Sequence, residues 1–341
     1  MALTKTSLEI VEDTEKTFTN LYKRQDEDAK LAFLDPYTLK NADGQQIPGA
    51  ISVTMNDPAV FLNAIASWIM GAIWQATVEG NISATQKTLI ESFLNDKEAG
   101  ADERLAKTEY GKLLPFLASH ICGRGWIGTR RLWQLDKEGN PHLEIIPLDM
   151  RYCSYERSSD GFSWVAPRYL RSKAKVKKEY GIDIRGGDNE VEVVDYWDDK
   201  KEEVWIDKKL VPVTEGRPMP NKHRIGYPPF VIVAAPEGFM FLDKGYMVRK
   251  GESIFFLDRN LYPEYNRIIS IDQSLALLAI APPYQKTTTP GEPKVPYPNE
   301  PATVYELPDE HEYKVVPQAA INMANRTAFS AISGAIQRGG V

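Results

Sequence analysis

Cysteine and histidine are scarce in this chain of 341 residues, which contains two of the former and four of the latter. The two cysteines, Cys122 and Cys153, are too few for a disulfide framework, and a reducing compartment is the default expectation. The histidines are scattered without the spacing of metal ligands, and no Walker loop, H-E-x-x-H or G-x-S-x-G motif is present. We therefore expect no enzymatic activity, no bound metal and no cofactor.

The chain also lacks an excess of positive charge. Its 41 Lys and Arg residues are outnumbered by 47 Asp and Glu residues, for a formal net charge of -6. A tight, general nucleic-acid binder is usually basic. The one basic cluster, RYLRSKAKVKK at 168–178, suits a solvated helix face better than a phosphate-binding site. This charge balance argues against tight binding of nucleic acid, but it is compatible with a protein through which nucleic acid passes without being bound.

No apolar run is long enough for a membrane span, which needs about 20 residues. The most apolar stretch, RIISIDQSLALLAIAPPY at 267–284, has only seven consecutive apolar residues, Leu275 to Ala281, before Pro282. The N-terminal sequence MALTKTSLEIVEDTEKTF has no apolar core of a signal peptide. We expect neither a membrane segment nor a secretory signal.

The element pattern predicts an α+β fold. Residues 1–122 show mostly helical periodicity, beginning with a surface helix pair in SLEIVEDTEKTFTNLYKRQDEDAKLAFL. A strong helix follows from Asn56, with an apolar stripe of Phe61, Ile65, Trp68, Ile69 and Ile73, and two more helices cover 84–100 and 103–122. Residues 123–250 contain strand pairs joined by the turns DKEGNP, SSDG and DDKKEE, a short basic helix, and the strand in IGYPPFVIVAAPEG.

The C-terminal third is predicted to be two helices around a proline-rich connector. The first helix runs from Gly251 to Ala281 and is ended or kinked at Pro263. Residues 282–317 then hold nine of the 23 prolines, with ATVYEL and EYKVV as short strand candidates. The last helix runs from Pro317 to Arg338.

Three motifs have two interpretations each. GRGWIG at 123–128 matches G-x-G-x-x-G, but a helix precedes it and a strand follows, so a turn from helix to sheet is favoured over a dinucleotide site. Cys122, which lies beside Gly123 and near His120, is better explained as a buried structural cysteine than as a nucleophile. The acids of YELPDEHE at 305–312 fit an exposed or interfacial loop, with metal binding as the alternative.

The final helix is nearly uncharged, with Arg326 and Arg338 as its only charges. A helix exposed to water usually carries charges of both signs, and a helix that is apolar all round is buried all round. The helix of 263–281 becomes apolar on every side near its end. The connector is too small to bury both helices, so we infer that other copies of the chain cover them.

In the order of its elements the chain resembles the bacteriophage portal proteins, the family of head-to-tail connectors. The likeness rests on RGWIGTRR with LEIIPLDMRYCSYERSSDGFSWV, on VEVVDYWDDKKEEVWID with YPPFVIVAAPEG, on RKGESIFFLDRNLYPEYNRIISIDQ with LLAIAPPYQ, and on the last helix with IQRGG. It covers nearly the whole chain as an ordered pattern, although no single motif is diagnostic.

The resemblance implies a portal fold with a mixed α/β wing domain (1–250), a two-helix stem (251–281 and 317–338), a small clip (282–316) and the start of a tunnel loop (339–341). Members usually continue into more wing and a helical crown, so the stop at Val341 suggests a truncated or a reduced portal. The implied function is a dodecameric ring at the capsid vertex, through which double-stranded DNA is packaged and later ejected, and which joins head to tail.

This function assigns roles to particular residues. The residues expected to face the channel are Asn322, Arg326, Ser330, Ser333, Gln337 and Arg338. Those expected to dock the terminase or an adaptor at the clip are Lys294, Glu306, Asp309, Glu310 and Glu312. Those expected at the subunit interface are Leu275, Leu277, Leu278, Ile280, Ile332 and Ile336.

The implied partners are further copies of the chain, the terminase large subunit, tail adaptors, major capsid and scaffolding proteins, and the DNA in transit. The implied location is the virion, with assembly in the host cytoplasm. Two alternatives remain open at this point: a structural adaptor or scaffold without a channel, and a metal-dependent enzyme that uses the YELPDEHE acids.

Overall fold

The structure, a computed structural model, describes residues 5–73, 76–135, 138–211, 221–236, 250–280, 284–287, 312–315 and 323–339. It has both helices and antiparallel sheets, so the fold class is α+β, as predicted. The chain divides into two compact units. The first comprises Met1–Ala32 and Val60–Phe256, and the second comprises Phe33–Ala59 and Leu257–Val341.

The helices are α1 (Ser7–Phe33), α2 (Asp57–Met70), α3 (Ala84–Leu105), α4 (Leu113–Arg124), α5 (Lys173–Tyr180), α6 (Leu261–Ile280) and α7 (Met323–Gly339). The strands are β1 (Trp126–Leu135), β2 (Pro141–Leu148), β3 (Cys153–Ser158), β4 (Gly161–Ser172), β5 (Glu190–Asp198), β6 (Lys201–Ile206), β7 (Lys209–Leu210), β8 (Asn221–Lys222), β9 (Phe230–Ala234), β10 (Tyr284–Thr287) and β11 (Glu312–Val315). A short 3-10 turn, Met150–Tyr152, joins β2 to β3.

Two antiparallel sheets form the first unit. One has the strand order β2-β1-β9, and the other has the order β3-β4-β5-β6-β7, with β8 also paired to β6. The predicted strand pairs are confirmed: β1 pairs with β2, β3 with β4, and β5 with β6. Asp198 stabilises the β5–β6 turn, because its Oδ1 accepts the backbone N–H of Lys200 and of Lys201 at 2.8 Å. The Asp198-Asp199 pair is therefore part of the predicted turn DDKKEE.

Helix α1 lies in the main core of this unit, although its sequence looks like a surface helix pair. It is one continuous helix, and its aromatic residues Phe18 and Tyr22 pack in a cluster with residues from both sheets. The other members of that cluster are Leu21, Trp126, Leu148, Met150, Cys153, Tyr155, Val165, Trp197, Phe230 and Ile232. The prediction of a surface helix pair is wrong because buried polar residues of α1 (Arg24, Gln25 and Asp28) resemble solvent-facing ones in the sequence.

Two other predicted elements differ from the structure. The apolar stripe predicted for the helix from Asn56 is only partly buried. Ile65 and Ile69 pack against a cluster of buried residues, but Trp68 is 75% exposed and Ile73 is 94% exposed. The helix predicted from Gly251 begins at Leu261 instead, and turns occupy 254–260. Pro263 lies in the first turn of α6, where its missing N–H has no helical acceptor to lose.

Candidate functional site

The second unit contains a helix, a strand pair and a second helix in chain order. The backbone N–H groups of Leu261 and Tyr262 bond to the carbonyl of Asp258, which begins α6. Burial raises the pKa of the Asp258 carboxyl group. After α6, β10 pairs with β11 in antiparallel register, with Tyr284 opposite Val315. Helix α7 follows β11 and packs on α6, where the rings of Tyr265 and Phe329 stack with centroids 5.1 Å apart.

An extended segment of the same unit is held along α6 by side chains. Met55, Val53 and Ile51 donate their backbone N–H groups to Asn266 Oδ1, Ser270 Oγ and Ser274 Oγ, each at 2.9 Å. The three acceptors are spaced four residues apart, about 6 Å along a helix. Alternate residues of an extended chain are about 6.6 Å apart. The two spacings match, so one helix face binds the segment as a sheet edge would.

The other side of this segment is also bonded. The hydroxyl groups of Thr54 and Ser52 accept the backbone N–H groups of Tyr37 at 2.8 Å and Leu39 at 3.0 Å. Sequence reasoning missed this arrangement. A signal for it is present in α6, where the polar residues Asn266, Ser270 and Ser274 recur at intervals of four.

The structure places part of the predicted channel strip on α7. Ser330 and Gln337 are exposed, and Ser333 is partly buried. Arg326 and Arg338 belong to α7, but their side chains lie outside the described part of the chain, as does Asn322 altogether. The assignment of these residues to a channel remains a prediction.

The residues predicted at the subunit interface lie on both packed helices. Leu275, Ile332 and Ile336 are partly buried, and Leu277 is 43% exposed. Leu278 and Ile280 are in α6, with side chains outside the described residues. Within one chain, α6 and α7 therefore leave apolar surface in contact with water. None of the helices among the described residues has both the length and the apolar character needed to cross a bilayer.

The predicted docking residues of the clip lie mostly outside the described residues. Only Glu312 is placed, at the start of β11, where it pairs with Thr287. Lys294, Glu306, Asp309 and Glu310 are not described, and neither is the strand candidate ATVYEL. The EYKVV strand is confirmed by β11. Within the described part of the chain, no group of three or more His, Cys, Asp or Glu side chains is placed to hold a metal ion.

Carboxylates neutralise many of the guanidinium groups in the first unit. In the basic cluster, Arg168 contacts Glu15 and Glu192, and Arg171 contacts Glu109. Other arginine–carboxylate pairs of this unit include Arg24–Glu252, Arg124–Asp149, Arg130–Asp195, Arg131–Glu98 and Arg151–Asp26. Helix α5 carries the remaining lysines of the cluster and buries only Val176. This arrangement favours the interpretation of the cluster as an ion-paired surface.

Asp149 illustrates how these pairs act on protonation. It lies 3.2 Å from Arg124 and 3.8 Å from the Nε2 atom of His120. Burial opposes ionisation of the carboxyl group, but the neighbouring His120 and Arg124 outweigh burial and lower its pKa. The group therefore stays charged and paired near neutral pH.

The GRGWIG motif is a turn from helix to sheet, as favoured. Gly125 ends α4 in the left-handed conformation, with φ of 69°, and β1 begins at the next residue. Its carbonyl accepts the N–H of Ala235. A Cβ atom there would lie 2.0 Å from the carbonyl oxygen of Gly251. Backbone crowding therefore requires a glycine at this position, and the motif needs no nucleotide-binding role to explain it.

Both cysteines are buried, as predicted for Cys122, and neither forms a disulfide bond. Cys122 is 2% exposed and Cys153 is 1% exposed, and burial raises the pKa of the Cys153 thiol well above its usual range. Since the thiolate is the reactive form, we expect neither residue to react with a thiol reagent such as dithionitrobenzoate while the protein is folded. Both should react after denaturation in urea. Rapid labelling of one thiol in the native protein would contradict this prediction.

No protein-family model matches the chain, and no curated protein matches it.

Proposed function

We propose that the chain is a subunit of a bacteriophage portal, a ring that forms a channel at the capsid vertex. Double-stranded DNA enters through this channel during packaging by a terminase motor, and it leaves by the same route at ejection. The observation that carries the proposal is the second unit, in which α6, the β10–β11 pair and α7 follow one another as a stem helix, a clip and a second stem helix would. The ring also joins head to tail through its adaptor partners and does no chemistry of its own.

The exposed apolar surface supports assembly into a ring. Helix α6 leaves Leu277 43% exposed, and α7 leaves Ile332 and Ile336 only partly covered. In a ring, one face of each subunit packs on a different face of the next, and the contacts close by rotation. Neighbouring copies would then cover the apolar residues that one chain leaves exposed.

The charge distribution supports passage of DNA without retention. Each phosphate that a protein neutralises adds affinity through the release of counterions. Ser330 and Gln337 are exposed but uncharged, and α7 has no acidic residue. In the first unit, the arginines named above are already paired with carboxylates. A channel lined by such residues has little positive charge with which to bind the phosphate backbone, so DNA can slide through it.

Leu277→Asp tests the proposal. Because Leu277 is 43% exposed in one chain, we expect an aspartate there to leave the fold and its thermal midpoint nearly unchanged. In the ring the same carboxylate would be buried without a partner, which costs several kcal/mol. We therefore expect the purified wild-type protein to show end-on rings with a central hole in negative-stain micrographs and a closed-ring mass, and the variant to show single chains.

Leu210→Asp is the matched control, since Leu210 is 39% exposed in β7 of the first unit. It should form rings as the wild type does. A wild-type protein that stays monomeric across the accessible concentrations would count against the portal proposal. Rings that form equally well with Leu277→Asp would show that this face of α6 is not part of the subunit interface.

A further inference from the structure

A cavity of about 500 Å³ lies beside α6 in the second unit. Small-molecule sites have volumes of this order, and they are mostly apolar with a few polar groups that orient the ligand. The wall of the cavity comes from the extended segment bound along α6, from α6 itself and from α7. Among the described residues that form this wall, Asp272 is the only charged one.

The extended segment supplies one apolar side of the cavity, because apolar and polar residues alternate along it. Ile51, Val53 and Met55 line the cavity. Ser52 and Thr54 lie between them and accept backbone N–H groups elsewhere in the unit. Successive side chains of an extended chain point to opposite faces. The hydrogen bonds that join this segment to α6 therefore hold its apolar face along the cavity.

The two helices supply the other side. Ile269, Asp272 and Gln273 are spaced by three and four residues, so they share one face of α6. Phe329 of α7 completes the wall, and its ring is fixed by stacking on Tyr265 with centroids 5.1 Å apart. The apolar side chains of the wall are only partly buried, so a ligand that covers them removes further apolar surface from water.

Asp272 has an unmet hydrogen-bonding requirement in this wall. Its Oδ1 atom is buried and receives no hydrogen bond from the described residues. A buried carboxylate oxygen without a donor is costly, and such groups normally pair with a cation. Glu264, the other acid of α6, differs in this respect because Arg267 contacts it at 2.6 Å on the helix surface. The cavity therefore suits a ligand that brings one positively charged donor.

The geometry favours an ammonium ion over other cations. Calcium and magnesium ions take six or more oxygen ligands, and no group of three or more His, Cys, Asp or Glu side chains in the described ranges could hold a metal. A guanidinium group pairs best through two parallel bonds to both carboxylate oxygens. Of the two oxygens of Asp272, only Oδ1 is buried without a donor. An ammonium group is a compact point charge that can bond to this one oxygen.

We propose that the cavity binds an organic ammonium ion on an aliphatic chain. The ammonium group donates to Asp272 Oδ1, and the chain packs on the apolar side chains of the extended segment and of the two helices. Free alkylamines and the lysine side chain of a partner protein share this chemistry. The inference goes beyond the proposed function and does not rest on the ring, since the residues that carry it belong to one chain.

Isothermal titration calorimetry of the full chain with n-hexylamine tests the role of the charge. The wild-type protein should show one saturable site. Asp272→Asn keeps the size of the side chain and removes its charge, so it should weaken binding by about tenfold or more, as expected for the loss of a hydrogen bond between charged groups. Glu264→Gln removes an exposed carboxylate of the same helix and should bind as the wild type does. Circular dichroism confirms that each variant is folded.

A series of ligands tests the apolar wall and distinguishes the two sources of the amine. From n-butylamine to n-hexylamine, each methylene group should strengthen binding by about two- to fourfold. Hexanol, which lacks the charge, should bind at least about tenfold more weakly than hexylamine. Nα-acetyl-lysine methylamide presents its butylammonium group as a protein does. If it binds as tightly as butylamine, the site accepts a lysine of a partner, and if it binds more weakly, the site selects free amines. Both results support the ammonium site.

Three results would overturn the inference. They are no saturable binding to the wild-type protein, equal affinities of the wild type and Asp272→Asn, and hexanol binding as tightly as hexylamine. The first would show that water or another part of the chain already supplies the donor to Asp272. The ring assay is separate from this one, so a protein that forms rings but fails to bind hexylamine would lose the ammonium site and keep the proposed function.

Discussion

Replacing Gly125 by alanine is expected to destabilise the native fold of the first unit strongly. The new Cβ atom would lie 2.0 Å from the carbonyl oxygen of Gly251 and 2.6 Å from the carbonyl carbon of Glu252. Both contacts are with backbone atoms, which cannot rotate aside as the tip of a side chain can. The left-handed φ of 69° adds a further cost of about 1–2 kcal/mol for a residue with a Cβ atom.

The surrounding contacts make this crowding hard to relieve. The Gly251 carbonyl accepts a hydrogen bond of 2.7 Å from Arg24 of α1. The Trp126 ring, which is 1% exposed, donates to the carbonyl of Lys250 at 3.1 Å. A shift of the 250–252 backbone therefore breaks buried hydrogen bonds. We expect Gly125→Ala to lower the free energy of unfolding by about 4 kcal/mol or more, which is in the exceptional range for one substitution.

Gly181→Ala is a matched control in the same unit. Gly181 ends α5 as Gly125 ends α4, with φ of 71°, but no atom lies within 4 Å of where its Cβ would be. The control variant therefore loses only the about 1–2 kcal/mol that the left-handed backbone conformation costs a residue with a Cβ atom, and it has no steric collision. Urea denaturation followed by fluorescence compares the two variants. Equal midpoint shifts would show that the 250–252 segment moves away from Gly125 at little cost.

The comparison of these glycines shows what the sequence could predict. The order helix, glycine, strand is local, so GRGWIG could be interpreted as a turn rather than as a nucleotide site. The close approach of Gly251 joins positions 126 residues apart in the chain and has no local signature. The paired strands could be predicted for the same reason. Both the alternation of apolar and polar residues along a strand and the turn residues between two strands are local features of the sequence.

The errors have equally physical causes. Helix α1 was expected to be a surface pair because Arg24, Gln25 and Asp28 are polar, yet each of them is buried in the fold. Strand β10 was missed because its sequence, YQKT, has no strand signal until β11 pairs with it. The partner of Asn266, Ser270 and Ser274 could not be foreseen, since the extended segment that they bind lies more than 200 positions away in the chain.

Arg24→Ala is expected to give the second large effect, again in the first unit. Arg24 Nη1 lies 3.1 Å from Glu252 Oε1, and the two side chains are 7% and 5% exposed. Arg24 Nη2 also donates to the carbonyls of Lys250 and Gly251. Losing one member of a buried ion pair costs about 3–5 kcal/mol, because the remaining charge stays out of water.

Neighbouring residues of α1 extend this buried polar contact. Gln25 Nε2 donates to the Arg124 carbonyl at 3.3 Å, and Asp28 Oδ2 accepts from the Ser253 hydroxyl at 2.8 Å. One helix thus holds both the turn after α4 and the 250–253 segment, from which the chain continues into the second unit.

A double-mutant cycle separates the interaction energy of the Arg24–Glu252 pair from the other effects of truncating each side chain. Arg24→Ala and Glu252→Ala should each destabilise the fold, and the double variant should cost less than their sum by about 1–3 kcal/mol. Arg171→Ala is the control, because its partner Glu109 is 59% exposed, and it should cost less than about 1 kcal/mol. Additive losses for Arg24 and Glu252 would mean that the arginine acts mainly through the carbonyls of Lys250 and Gly251. A loss as small as that of Arg171→Ala would show that water reaches the pair, and the ion pair would then add little to the stability of the first unit.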